Sequence, residues 1–186
     1  HMSSVREVLP GRNYFLPQTQ EKYDPLTITE EDFMAVVCRK PCNISKAIYT
    51  TLTGISPLIA EEICYRASAD GSDAAQSLDE NASVHLYHTF KRLIEQVQEG
   101  DFTPNIIYRN EEPVEYAVLP LSQYGQEYHS VTFESVSEML ETYYASKEIL
   151  TRIRQKSSDL RRIVQTALER NRKKLVLQQK QMKDTA

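Results

Sequence analysis

"TLTGISPLIAEEI", Thr51 to Ile63, decides how the first half of this chain is read. An apolar helix runs into it, Gly54 stops that helix, and Ser56-Pro57 starts another with only Ile55 between. Glycine reaches left-handed backbone at little steric cost, and serine supplies a capping oxygen. Proline at the first helical position gives up an amide that would lack a helical partner anyway. Leu52, Gly54, Ile55, Ser56, Ala60 and Ile63 fit a helix-hairpin-helix: an apolar residue between two turn positions, then a small residue where the helices pack closely.

Such a hairpin is either a corner in a helical domain or a grip on a phosphate through unpaired amides. Here Ser56 stands in place of the second glycine, Pro57 has no N–H, and Leu58 and Ile59 lie where a phosphate-binding hairpin often carries a polar or basic residue. The amides of Leu58 and Ile59 remain, with Gly54, Ser56 and nearby Lys46 as the other candidates for a phosphate contact. Both readings stay open.

Working outward, "TEEDF" opens a helix at Thr29 that runs to about Cys38, with Thr29 capping Asp32 and an acidic first turn suiting the helix dipole. Asn43 caps "ISKAIYTTL", whose Ile44, Ala47, Ile48 and Leu52 share a face. "ADGSDAAQSLDEN" is expected to be a mobile loop. A long helix follows in "ENASVHLYHTFKRLIEQVQ", with Val84, Tyr87, Phe90, Leu93, Ile94 and Val97 at helical spacing and Gly100 as its stop. From Asn105 to Phe133, "NIIYR", "VEYAVLPL" and "EYHSVTF" separated by turns predict a small antiparallel meander. Three short strands need a cover, either the helical part or a further domain, and an edge is expected to stay open.

Ser135 to Met182 contains no Pro or Gly and predicts one long helix. Leu150, Ile153, Ser157, Leu160, Val164, Ala167, Asn171, Leu175, Gln178 and Met182 alternate spacings of mostly three and four, as in a coiled-coil seam weakened by its polar members. A seam without its partner predicts pairing with a second copy, or fraying beyond about Asn171. The expected fold class is thus mainly α with a small antiparallel β meander (α+β), a helix-hairpin-helix domain followed by a long coiled-coil helix. Its divisions are a connector over 1–28, the hairpin domain over 29–103, the β segment over 104–134 and the coiled-coil arm from 135 to 186.

Hydrophobic residues are 40% of the chain and charged residues 26%, an ordinary soluble composition. Charge is divided unevenly. Residues 1–135 hold 10 Lys and Arg against 20 Asp and Glu, while residues 136–186 hold 12 against 6. Arg161, Arg162, Arg170, Arg172 and Lys173, with Arg152 and Arg154, lie largely off the seam, where they are either solvated or meet a polyanion. Cys38, Cys42 and Cys64 match neither a disulfide framework nor a zinc knuckle and suit a reducing cytoplasm. His85 and His88 sit three apart with no further ligand spaced to complete a metal site, so no metal or cofactor is expected. No apolar run reaches the ~20 residues of a membrane span. Without a Ser/His/Asp arrangement, a phosphate-cradling glycine loop or a carboxylate pair in an apolar setting, the chain is not expected to be an enzyme. His1 and Met2 read as the residue of tag removal, so an internal piece of a longer protein is expected.

Three stretches together resemble the NFACT family, of RqcH and fibronectin-binding protein A type. "PGRNYFLPQTQEKYDPL" is similar to its Pro-Gly, Tyr, Pro-Pro, Gln, Lys, Pro signature through Pro10, Gly11, Tyr14, Pro17, Gln20, Lys22 and Pro25, with Gln18 in place of the second proline. The second is the hairpin, and the third, "SVSEMLETYYASKEIL" onward, is similar to the start of the family's long coiled coil. The resemblance implies a parent with an NFACT-N domain before this piece and an NFACT-R domain after it. It also implies binding of the large ribosomal subunit and tRNA during rescue of stalled ribosomes by alanine tailing. The tRNA-selecting residues would lie in the N-terminal domain, so none carries over. Streptococcal members are also described as anchorless surface adhesins that bind fibronectin, which gives the alternative reading and a possible surface location beside the cytoplasmic one.

Overall fold

The computed structural model of the protein describes residues 22–184. Most of the Pro-Gly signature and of the 1–28 connector therefore lies outside the described residues. The chain divides into two compact units, one reaching to Phe102 and including Leu121–Gly125, the other formed by Thr103–Pro120 and the chain from Gln126 onward.

The first unit is helical. Thr29 accepts from the Asp32 amide at 3.1 Å and starts α1, Glu30–Phe33. The chain then widens into a π-helical turn, Met34–Cys38, where the sequence predicts ordinary helix. A turn with one extra residue re-aims its side chains, and here both Val37 and Cys38 are buried. Asn43 accepts from Lys46 N at 2.9 Å and opens α2, Ile44–Thr51. Ser56 opens α3, Pro57–Arg66, and Asp79 opens α4, Glu80–Glu99, which stops at Gly100 with φ 71°.

The segment expected to be a mobile loop is pinned to α2. Ile44 N donates to Asp73 O at 2.9 Å, Ser45 N to Gly71 O at 3.1 Å, and Ala75 N to Cys42 O at 2.9 Å. The first two satisfy first-turn amides of α2 that a helix cannot satisfy itself. Gly71 permits the approach, because a Cβ there would run into the Glu61 carboxylate and stand 3.2 Å from Ser45 Cβ.

Between α1 and α4 lies an aromatic core. Phe33 and Phe90 are both fully buried and stack with centroids 5.1 Å apart, and Tyr87 meets Phe33 edge-on at 5.5 Å. The apolar face of α4 follows the expected helical spacing with two exceptions. Leu86 is fully buried although it falls outside the predicted face, and Val97, which falls on it, is 37% exposed.

In the second unit β1, Asn105–Arg109, β2, Glu112–Ala117, and β3, His129–Thr132, form an antiparallel sheet of order β2-β1-β3. A meander would place the middle strand of the sequence in the centre. Here β3 pairs with β1 instead, so β2 and β3 are consecutive in sequence but not neighbours in the sheet. The β1–β2 hairpin turns on Asn110 (φ 49°) and Glu111 (φ 66°), two successive left-handed residues as in a twist-matched two-residue turn. Asn105, buried at the start of β1, donates to Thr103 O, Ala117 O and Leu119 O at 2.8, 3.2 and 2.9 Å. Four-residue β3 is exposed throughout and forms one edge.

Helix α5, Val136–Asp184, begins where Ser135 Oγ accepts from Glu138 N at 3.1 Å. Its first turns supply the cover the sheet needs. Met139 is buried, Tyr143 packs edge-on against Tyr116 at 4.7 Å, and its hydroxyl donates to Val114 O at 3.1 Å. From Thr151 to Met182 every residue is exposed.

Candidate functional site

The hairpin forms by the local rules that its sequence suggests. Leu52 leaves the helical region, Gly54 adopts φ 75°, and Ser56 Oγ accepts from Ile59 N at 3.3 Å. That cap takes one of the two amides expected to be available to an anion. Leu58 N, with the amides of Gly54, Ile55 and Ser56, has no hydrogen-bond partner among the described residues. Gly54, Ser56 and Pro57 are exposed, while Leu58 and Ile59 are half-buried.

Two cations that sequence reasoning missed lie at the end of α2. Lys22 Nζ donates to Tyr49 O at 3.0 Å, and Lys40 Nζ to the hydroxyls of Thr50 and Thr51 at 3.0 and 2.8 Å. Positive charge there complements the carbonyl end of the helix. The chain at Tyr23 also straps the hairpin: Tyr23 N donates to Thr51 O and Thr53 N to Tyr23 O, each at 2.9 Å. Nothing in the spacing of Lys22 and Lys40 signals this, because both are engaged with groups distant in sequence. Lys46, the cation singled out from sequence, is exposed on α2.

No atom lies within 4 Å of a Cβ built on Gly54, so a side chain there meets open space and only the backbone resists it. Gly54→Val is expected to cost about 1–3 kcal/mol through the left-handed φ, and Gly54→Asn clearly less. Urea denaturation of the two variants checks this, and equal stability for Val and Asn would show that φ is not the constraint.

Further along α3 lies a group of a different kind. Glu62 is fully buried, 2.6 Å from Arg66 Nε, and accepts from Ser122 N through both oxygens at 2.9 and 2.8 Å and from Gln123 N at 3.1 Å. Gln123 Nε2 also donates to Leu58 O at 3.3 Å. Together these bonds clasp the 121–125 segment onto α3. Burial, aided by Glu61 and Asp70, pushes the Cys64 thiol up to about 12, so it stays protonated and poorly nucleophilic at neutral pH. Among the described residues no group of three or more His, Cys, Asp or Glu could hold a metal ion. His88 faces Glu30 at 4.0 Å.

In the second unit, Arg161, Arg162, Arg170, Arg172 and Lys173 are all exposed on α5. Arg162 approaches Asp159 at 3.5 Å, Arg152 pairs with Glu148 at 2.6 Å, and Arg154 reaches Glu112 on β2 at 2.7 Å. The apolar stripe is broader than the predicted seam, since Ile149, Ile163 and Leu168 extend it, each more than half exposed. Basic residues outnumber acidic ones along it, so one surface combines apolar area with a net positive charge. No helix of the described residues is long and apolar enough to cross a membrane.

Over residues 1–186 the chain matches the family described as NFACT N-terminal and middle domains. It is similar to the Rqc2 homolog RqcH of Bacillus subtilis, 32% identical over 174 residues, covering 94% of this chain and 28% of that protein. It is also similar to the Rqc2 homolog RqcH of Streptococcus suis, 25% identical over 183 residues, covering 98% of this chain and 28% of that one. The chain thus spans 28% of the length of these relatives. Among solved structures, the fibrinogen binding protein from Staphylococcus aureus aligns with a TM-score of 0.54 at 27% identity, over 73% of this chain and 46% of that one.

Proposed function

We propose, from the premise that this chain belongs to the family of NFACT N-terminal and middle domains, that it is a non-catalytic binding module of a cytoplasmic ribosome quality-control factor. In that role it contacts the large ribosomal subunit and tRNA while the full-length protein extends stalled peptides with alanine. The observation that carries this reading is α5: from Thr151 to Met182 it is exposed on all sides and holds ten Lys and Arg against two acidic residues. Neutralising backbone phosphate dominates nucleic-acid affinity, and this is the element of the chain equipped to do it. The hairpin contributes less, because its unit carries most of the negative charge and its neighbouring lysines are engaged internally. It offers Gly54, Ser56 and Leu58 for a single backbone contact.

A salt titration of binding to purified large subunits tests the reading. Affinity is expected to fall steeply with salt, and reversing Arg161, Arg162, Arg170, Arg172 and Lys173 to Glu should flatten the slope by about 0.7–0.9 for each phosphate no longer neutralised. Salt-independent binding, or an unchanged slope in the variant, overturns it.

The structural likeness to a fibrinogen binding protein favours a second reading, a surface adhesin segment binding fibronectin or a related host glycoprotein. Surface plasmon resonance on immobilised fibronectin and fibrinogen decides that one. Saturable binding that survives the five-site charge reversal supports it, and binding that disappears with the charge reduces it to nonspecific adhesion.

A further inference from the structure

An open sheet edge presents unpaired N–H and C=O groups to any strand that can reach them, and the two edges of this sheet are treated differently. Edge strand β2 is guarded. Pro113 has no N–H to offer, Val114 O accepts from the Tyr143 hydroxyl at 3.1 Å, and Glu112 meets Arg154 of α5 at 2.7 Å. Edge strand β3 has none of these devices. From Tyr128 to Phe133 the chain reads YHSVTF, without a charge, a proline or a glycine, the composition of a segment prone to strand pairing. All four residues of β3 are exposed, Val131 among them at 40%.

Which backbone groups of β3 face outward follows from the register. Phe133 N donates to Pro104 O at 2.8 Å, and Val131 opposite Ile106 and His129 opposite Tyr108 continue that hydrogen-bonded series in steps of two. Ser130 and Thr132 fall between, so their N–H and C=O groups point away from β1, and neither amide has a partner among the described residues. The edge is also its own complement. Laid antiparallel on a second copy with Ser130 opposite the partner's Thr132, the two strands exchange four hydrogen bonds through these groups. Val131 then faces the partner's Val131 as a close apolar pair, and His129 lies against the partner's Phe133. No like charges coincide, since Glu127 falls opposite the partner's Ser135 and Glu134 opposite the partner's Tyr128.

We propose that β3 is a self-pairing edge, through which two copies of this chain join in antiparallel register centred on Val131. The two three-stranded sheets then form one continuous sheet. The contact is separate from the apolar stripe of α5 and independent of ribosome or fibronectin binding. A strand pair this short falls below the ~1,200 Å² of a stable interface, so the dimer is reversible and fills only at high protein concentration.

Sedimentation equilibrium of the 186-residue chain over a wide concentration range tests the pairing, together with disulfide trapping. A reversible monomer–dimer equilibrium is expected. Ser130→Pro removes an outward N–H and leaves the bonds to β1 in place, and by symmetry the dimer loses two hydrogen bonds, so its dissociation constant should rise at least ~ten-fold. Leu160→Asp with Val164→Asp, on the stripe of α5, should leave the dissociation constant unchanged. Under mild oxidation Val131→Cys should cross-link two copies, because directly opposed residues stand at disulfide distance, whereas Thr132→Cys and the unsubstituted chain should not. The trapping result stands even if Ser130→Pro fails to fold. A chain that stays monomeric and yields no Val131→Cys cross-link overturns the proposal. Equal trapping of Val131→Cys and Thr132→Cys overturns it too, as does association lost in the α5 variant, which would place the contact on the stripe.

Discussion

Replacing Glu62 by alanine is expected to lower stability by about 3–5 kcal/mol, the range for removing one partner of a buried, hydrogen-bonded ion pair. The carboxylate is fully buried and receives the Arg66 guanidinium together with the amides of Ser122 and Gln123. Removing it takes the acceptor from a positive charge and from two part-buried N–H groups, and an amide left unpaired costs about 1–3 kcal/mol where water cannot reach it and less where it can. Glu62→Gln keeps one acceptor oxygen but turns an NH2 group towards the donors, so its effect should fall between alanine and the unsubstituted protein. Urea denaturation gives the magnitudes, and hydrogen exchange at Ser122 and Gln123 gives the location. A loss under about 1 kcal/mol for Glu62→Ala would show that water replaces the carboxylate without penalty.

Phe90→Ala should produce a loss of similar size, about 3–5 kcal/mol, for a different reason. Phe90 is fully buried, stacked on Phe33 at 5.1 Å and tilted against Tyr87 at 6.3 Å. Truncation removes the transfer energy of the ring and opens a cavity between α1 and α4 that short α1, with four residues, can fill only by moving. Phe90→Leu, which fills most of the volume, should recover much of the loss. Because a domain of this size is stable by roughly 5–15 kcal/mol, the alanine variant is expected to melt tens of degrees lower and to lose the near-ultraviolet signal of the aromatic cluster. Equal melting of Phe90→Ala and Phe90→Leu would mean that the ring is not the keystone of this core.

What the sequence carried legibly was local. Thr29, Asn43 and Ser56 cap the helices they precede, and Gly54 and Gly100 take the positive φ that a stop requires. Each of these is decided within four residues, where propensity and capping act. The features that escaped are non-local. Strand order β2-β1-β3 depends on where the chain returns after Gly125, which no alternation of residues encodes. Glu62 reads as one more acid on a solvated helix until Ser122 and Gln123 arrive from 60 and 61 residues away. The π-helical turn at Met34–Cys38 is likewise a product of packing, since its Met-Ala-Val-Val-Cys run suits an ordinary helix equally well. Among the candidate site residues, Ile59 differs from expectation for the opposite reason: its amide is consumed by the very serine cap that the sequence announces.

The placement of Leu121–Gly125 with the first unit has a consequence for the order in which the protein is made. Domains commonly fold from the N-terminus as the chain emerges during synthesis, at about 5–20 residues per second. A nascent chain that has just delivered Phe102 possesses every helix of the first unit but lacks the amides of Ser122 and Gln123, so Glu62 must then stay hydrated or be buried with Arg66 alone. Completion of the first unit waits on the emergence of Gln123, by which time β1 and β2 have also been delivered. The first unit is therefore expected to close only after two strands of the second have emerged, while β3 and α5 have still to follow. A nascent chain arrested between Phe102 and Pro120 should remain protease-sensitive at α3, and one arrested well past Gly125 should not.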